Sequence, residues 1–394
     1  MGNLFNGPVL VIDDQAKKPD TKDTIKKLIR EIEKKGYPCV IYDDIPDDPE
    51  VFVKHLSGFS FLLLDWRLFE PGANPELAGI KPPEALGEAI VEFIKLVTEE
   101  TFIPIFIATN EKNTTVVKAL KTAGLYNPKD PLRNSIFIKK KDDLVRGSLF
   151  TALNKWIKES PSIYALKEWE LEYTKARNSL FLEFFKISHS WPEAIWVASK
   201  EDKSPSPSDD LGDAITRNLY TRMAPFKFDE KNIVVSETPT LAKEVRKVME
   251  GERFIRNELL DPNRISPGDI FSYEDDDRGS YRYLLNIRPM CDTIIERNPN
   301  PALYFLKGKS VTRKTGRDER SDREFIPFLF DGKVISFAFK DIVIKQWTDV
   351  QSLRQGRLLE PYITRIQQKH GLFIQRQGLP RSPWQAFFDT KPSS

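Results

Sequence analysis

Cysteine and histidine are the scarcest reactive residues in this chain. Among 394 residues there are two cysteines, Cys39 and Cys291, and three histidines, His55, His189 and His370. Two cysteines build neither a disulfide framework nor a thiolate zinc site, and histidines this scattered predict no local metal cluster. Cys291, beside Asp292 and without a histidine near it in sequence, reads as a buried thiol. No apolar run approaches the roughly 18–20 residues of a membrane span, so no membrane partner is expected. The opening Met1-Gly2-Asn3-Leu4-Phe5-Asn6 lacks a cationic and apolar leader, and Asn6 stands where myristoylation needs Ser or Thr. The expected location is therefore the cytoplasm. Several catalytic motifs are missing: Gly-x-Gly-x-x-Gly, Gly-x-Ser-x-Gly and His-Glu-x-x-His. Gly308-Lys309-Ser310 imitates the end of a phosphate-binding loop, but Leu303 occupies the place of its first glycine.

What is present describes a globular protein. Hydrophobic residues make up 40% and charged residues 30%, with a net charge of +2. The length suggests two or three domains.

Short apolar runs alternate with helical periodicity through the first 158 residues. Pro8 to Ile12 is a strand ending at the pair Asp13-Asp14. Ile25, Leu28, Ile29 and Ile32 mark one face of a helix closed by Gly36. Residues 37–42 read as a second strand and 51–56 as a short helix. The apolar run from Phe59 to Leu64 stops at a single carboxylate, Asp65. A turn-rich segment follows, with Pro71, Gly72, Asn74, Pro75, Gly79, Pro82 and Pro83. Then come a helix (Leu86 to Val97), a strand (Ile103 to Ala108) ending at Thr109, a helix closed by Gly124, and a strand (Ser135 to Ile138) running into Lys139-Lys140-Lys141. One amphipathic helix is expected over 144–157.

Five strands alternating with helices predict a parallel sheet covered on both faces. Right-handed crossovers bring the C-terminal ends of all five strands to one edge. That edge collects Asp13, Asp14, Asp65, Thr109 and a lysine from 139–141. Carboxylates gathered in one crevice repel one another unless a cation holds them, and oxygen-only ligands favour Mg²⁺. A hydroxyl and an ammonium beside them suit phosphoryl oxygens, and the third carboxylate can act as a nucleophile and form an acyl phosphate.

This order of acidic pair, Asp, Thr and Lys resembles the receiver domain of two-component response regulators, over residues 7–158. The resemblance implies a flavodoxin-like α/β fold. It implies Asp65 as phosphoacceptor, Mg²⁺ held by Asp13, Asp14, Asp65 and the backbone carbonyl of Arg67, and Thr109 contacting the phosphoryl group. The lysine that closes such a site matches Lys140 or Lys139, and Phe137 in the family's aromatic switch position favours Lys140. The donor would be a histidine kinase or a phosphotransfer protein. Two departures stand out: another lysine, not proline, follows the matched lysine, and the loop after Asp65 is long.

The remaining sequence is expected as a helical connector over 159–262 and a β-rich domain over 263–394. The connector includes helices near 160–185, 210–222 and 240–260, and a flexible loop at 199–210. The β-rich domain reads as a small antiparallel sheet or barrel over 266–350, including strands at 266–271, 281–287, 302–306, 334–339 and 342–347 and a hairpin at Asp331-Gly332, then a terminal helix and a tail. This half faintly resembles receiver-associated proteins of bacterial defence gene clusters. A non-enzymatic module that binds another protein of its pathway is expected. Arg313, Lys314 and Arg317, in a basic loop at 307–323, make nucleic acid a rival partner. Two further alternatives concern the first 158 residues: a phosphate sink that drains a kinase without giving an output, or a degenerate receiver acting as a scaffold.

Overall fold

The computed structural model describes residues 4–19, 24–68, 83–129, 134–204, 206–233, 245–274, 281–295, 297–310, 324–325 and 334–375. The chain divides into two compact units, 1–187 with 217–239, and 188–216 with 240–394. The first half runs β1 (Val9–Ile12), α1 (Thr24–Lys34), β2 (Cys39–Tyr42), α2 (Pro49–Val53), β3 (Leu62–Leu64), α3 (Pro83–Glu100), β4 (Ile105–Thr109), α4 (Asn113–Thr122), β5 (Ile136–Lys140), α5 (Lys141–Gly147), α6 (Leu149–Lys158) and α7 (Pro161–Ile187). The second half runs α8 (Trp191–Glu201), α9 (Pro207–Met223), α10 (Glu230–Ile233), α11 (Val245–Arg253), β6 (Phe254–Arg256), β7 (Asp269–Glu274), β8 (Tyr281–Asn286), β9 (Ala302–Ser310), β10 (Glu324–Phe325), β11 (Ile335–Gln346), α12 (Trp347–Val350), β12 (Arg354–Leu358) and α13 (Tyr362–Ile374).

Strands β1 and β3, and β4 up to Thr109, are apolar, and all three are wholly buried, as parallel strands covered on both faces must be. They lie in an all-parallel, flavodoxin-like sheet of order β2-β1-β3-β4-β5. Alternation along each strand divides the core in two. Val9, Val11, Leu63 and Phe106 face a cluster containing Ile25, Leu28, Ile32, Leu153, Trp156 and Ile157, from α1 and α6. Leu10, Ile12, Leu62, Leu64, Ile105 and Ile107 face Ile90, Phe93, Val116 and Leu120, from α3 and α4. Each fully buried Leu, Ile or Phe contributes about 1.5–3 kcal/mol relative to exposure, so these faces fix which residue of each strand comes last at the edge.

The single helix expected over 144–157 is two helices. Ser148 breaks it with a φ of 68°. The break is held from α1: the Ser148 hydroxyl donates to Glu31 Oε1 at 2.5 Å, and the Leu149 N–H donates to Glu31 Oε2 at 3.2 Å. An acid from another helix thus satisfies the free N-terminus of α6. Later in this unit, Tyr164 on α7 accepts the N–H of Asp229 at 2.9 Å and packs edge-on against Phe228.

The second unit is built on a seven-stranded antiparallel sheet of order β10-β11-β9-β8-β7-β12-β6. Phe337, Phe339, Leu285 and Leu306 pack on one face with Ile363 and Ile366 of α13, and Phe271, Leu284 and Phe305 pack on the other with Trp347 and Val350 of α12. The strands expected at 334–339 and 342–347 are one long strand, β11, irregular between Ala338 and Ile342. β6 and β12 have no counterpart among the expected strands; β12, Arg-Gln-Gly-Arg-Leu, has one apolar residue and is held by charge. Asp269, fully buried, accepts Arg357 Nε at 2.6 Å and the Ser266 N–H at 3.0 Å. Arg354 donates to Asn257 Oδ1 and to the carbonyls of Asp261 and Arg264.

The loop expected at 199–210 is mostly helix: α8 and α9 converge there, and the Ser199 hydroxyl donates to Asp210 Oδ2 at 2.8 Å. Cys291 is exposed, not buried, because its short 3₁₀ turn faces outward. The loop after Asp65 from residue 69, the Asp331-Gly332 hairpin turn, and Arg313, Lys314 and Arg317 lie outside the described residues. Among the described residues no helix is long and apolar enough to cross a membrane.

Candidate functional site

The parallel register brings the two acidic strand ends together. The Asp65 N–H donates to the carbonyl of Ile12 at 2.9 Å, and the Asp13 N–H donates to that of Tyr42 at 3.0 Å. Asp13 and Asp65 therefore follow directly from adjacent strands, β1 and β3. Both are buried, at 1% and 6% exposure. One carboxylate oxygen from each of Asp13, Asp14 and Asp65 lies within 4.8 Å of the others, a grouping that could hold a metal ion. The donors are all oxygen, which suits a hard divalent cation better than zinc or copper.

The lysine at this site is Lys141, in place of the expected Lys140 or Lys139. Its Nζ lies 2.6 Å from Asp65 Oδ2 and 2.7 Å from Asp13 Oδ2, and the residue is 5% exposed. The reason is the direct passage from β5 into α5. Lys140 is the exposed last residue of the strand, Lys139 lies over the Phe137 ring at 5.9 Å, and the first helical residue turns back to the sheet edge. The residue after this lysine is Asp142, so the departure from the family's Lys-Pro pattern remains.

Phe137 lies on the opposite face of the sheet from α4. Its ring packs on Phe106 at 4.8 Å and Trp156 at 5.3 Å, whereas Ile138 joins the cluster that contains Val116 and Leu120. Counting back from Lys141, Ile138 occupies the place that Phe137 has relative to Lys140.

Thr109 ends β4 beside Lys140 of β5, is fully buried, and accepts the Glu111 N–H at 3.1 Å. The Arg67 N–H donates to Asp65 Oδ1 at 3.3 Å, and its guanidinium pairs with Glu111 at 2.8 Å. Asp14, at the rim, accepts from Gln15 Nε2 at 2.7 Å and from Lys18 Nζ at 3.2 Å. The Gln15 N–H donates to Asp13 Oδ1 at 2.9 Å.

Burial raises the Asp65 carboxyl from 3.8 to about 6, although Lys141 pulls the other way. Asp14 is raised by its partial burial. Burial opposes the Lys141 ammonium, but the charges of Asp65 and Asp13 outweigh it and hold its pKa above the ordinary value. At neutral pH the site therefore contains an ionised carboxylate, a buried ammonium against it, and a hydroxyl on the neighbouring strand. Sequence reasoning narrowed the lysine to Lys140 or Lys139, so it missed Lys141, and it also missed Lys18 and Gln15; an acid–x₃–lysine spacing after β1 was the available signal for Lys18.

No protein-family model matches this chain, and no curated protein is significantly similar to it.

Proposed function

We propose that the first unit is a receiver-type phosphoacceptor and that Asp65 takes a phosphoryl group from a phosphohistidine donor on a histidine kinase or phosphotransfer protein. The observation that carries this reading is the Lys141 ammonium set between Asp65 and Asp13 at the C-terminal edge of a 2-1-3-4-5 parallel sheet. Open α/β sheets place ligands at that edge.

In the proposed step an Asp65 carboxylate oxygen attacks phosphorus in line. The new P–O bond makes an acyl phosphate as the donor's P–N bond breaks, and the imidazole leaves with that electron pair. Lys141 neutralises charge on the equatorial oxygens, and the Thr109 hydroxyl serves as a hydrogen-bonding group for one of them. Asp13, Asp14 and Asp65, with the Arg67 carbonyl, would hold Mg²⁺, which supplies further charge neutralisation when bound. The protein is an acceptor in this reading, and its second unit is a non-enzymatic module that binds another protein of the pathway.

The test is intact mass after incubation with acetyl phosphate and Mg²⁺. A gain of about 80 Da, one HPO₃, in wild type and none in Asp65→Asn is the expected result. A wild type that gains no such mass and also fails to bind beryllofluoride would overturn the proposal.

A further inference from the structure

We infer that Lys18 is a positioning residue that acts through Asp14 and lowers the divalent-metal affinity of this site; this rests on the phosphoacceptor reading above. Asp14 is the one carboxylate of the three that Lys141 does not pair with, and two other donors take its Oδ2. Gln15 Nε2 lies at 2.7 Å and Lys18 Nζ at 3.2 Å, the latter four residues along in the turn after β1. The Asp14 side chain is 10% exposed, and that of Lys18 is 46% exposed. The lysine is thus free to leave while the acid stays at the rim.

Charge makes the competition direct. Three carboxylates face two internal ammonium groups, those of Lys141 and Lys18. A divalent ion that takes Asp14 as a ligand meets Lys18 as a like charge close by and must share or displace its hold on Oδ2. Lys141 is buried and holds the other two acids, so the rim is where the ion and the chain exchange places. Lys17 provides the contrast. It is the adjacent lysine, but it turns away to Asp43 at 3.1 Å and to the face of Tyr42.

The experiment titrates the full-length protein with Mn²⁺, reading the free ion by electron paramagnetic resonance, and then displaces it with Mg²⁺. Because the Lys18 side chain is solvent-exposed, Lys18→Met should tighten Mn²⁺ binding by about two- to fivefold. The gain should shrink as salt is raised. Lys18→Arg, which keeps the charge, should restore affinity to about the wild-type value, and Lys17→Met should change it less than Lys18→Met does. Wild type that binds Mn²⁺ while Lys18→Met binds it no more tightly overturns this inference and leaves the phosphoacceptor reading standing. Wild type that binds no Mn²⁺ overturns the metal site and this inference together.

Discussion

Asp65→Asn should stabilise the parallel-sheet unit at neutral pH, and the gain should vanish in acid. In the folded chain the Asp65 carboxyl titrates at about 6 rather than 3.8, chiefly because it is buried. Between those values the folded state keeps a proton that the unfolded state has lost. The contribution of Asp65 is therefore full below about pH 4 and is lost as pH rises through about 6. A shift of about two pH units, at about 1.4 kcal/mol each, sets an upper limit of ~3 kcal/mol on the cost of holding this carboxylate charged. Asparagine keeps the shape without the charge, while Lys141 retains Asp13 at 2.7 Å. A gain of about 1–3 kcal/mol is expected at about pH 7.5 with chelator present, falling to about a third of that at about pH 4.5 and to roughly zero at about pH 3. Hydrogen exchange at the amides of Leu62, Leu63 and Leu64, in the fully buried β3, reads the opening free energy of this unit. A substituted protein less stable than wild type at neutral pH, or one whose gain persists unchanged in acid, would refute the reasoning.

Three other perturbations test the scaffold. Gly268 has a φ of 92°, and an added Cβ would lie 2.3 Å from the carbonyl oxygen of Leu358, so Gly268→Ala should cost about 2–4 kcal/mol in urea unfolding. An unchanged midpoint would show that the turn relaxes. Arg357→Met leaves the fully buried Asp269 with the Ser266 N–H at 3.0 Å and with Arg354, at 3.7 Å, as its remaining cation among the described residues; a loss of about 3–5 kcal/mol is expected, read as a fall in melting temperature of the antiparallel unit. Glu31→Ala removes both bonds to the start of α6 and should cost about 1–2 kcal/mol, with faster exchange at the first amides of that helix.

The parallel sheet was legible because its strands carry their own signal. Val9 to Ile12 and Leu62 to Leu64 are uninterrupted apolar runs, and each stops at the acid that the site uses. Asp13, Asp14, Asp65 and Thr109 fall where strand ends and crossover handedness put them. The antiparallel unit was legible only in part. Phe271, Leu284 and Phe305 announced strands, but β12 is held by Arg354 and Arg357 against groups as much as 97 residues away in sequence, which no local window contains.

The sequence by itself determined the order of the first unit's elements and the three acids of the site, because side-chain burial alternates along a strand and ends where charge begins. Tertiary structure alone decided which lysine reaches them. Lys139, Lys140 and Lys141 are chemically identical, and the choice depends on where β5 gives way to α5. It decided likewise that Phe137 packs with Trp156, that Glu31 caps a helix distant in sequence, and that Lys18 rather than Lys17 holds Asp14. Each of these is a question of direction, set by packing against elements far along the chain.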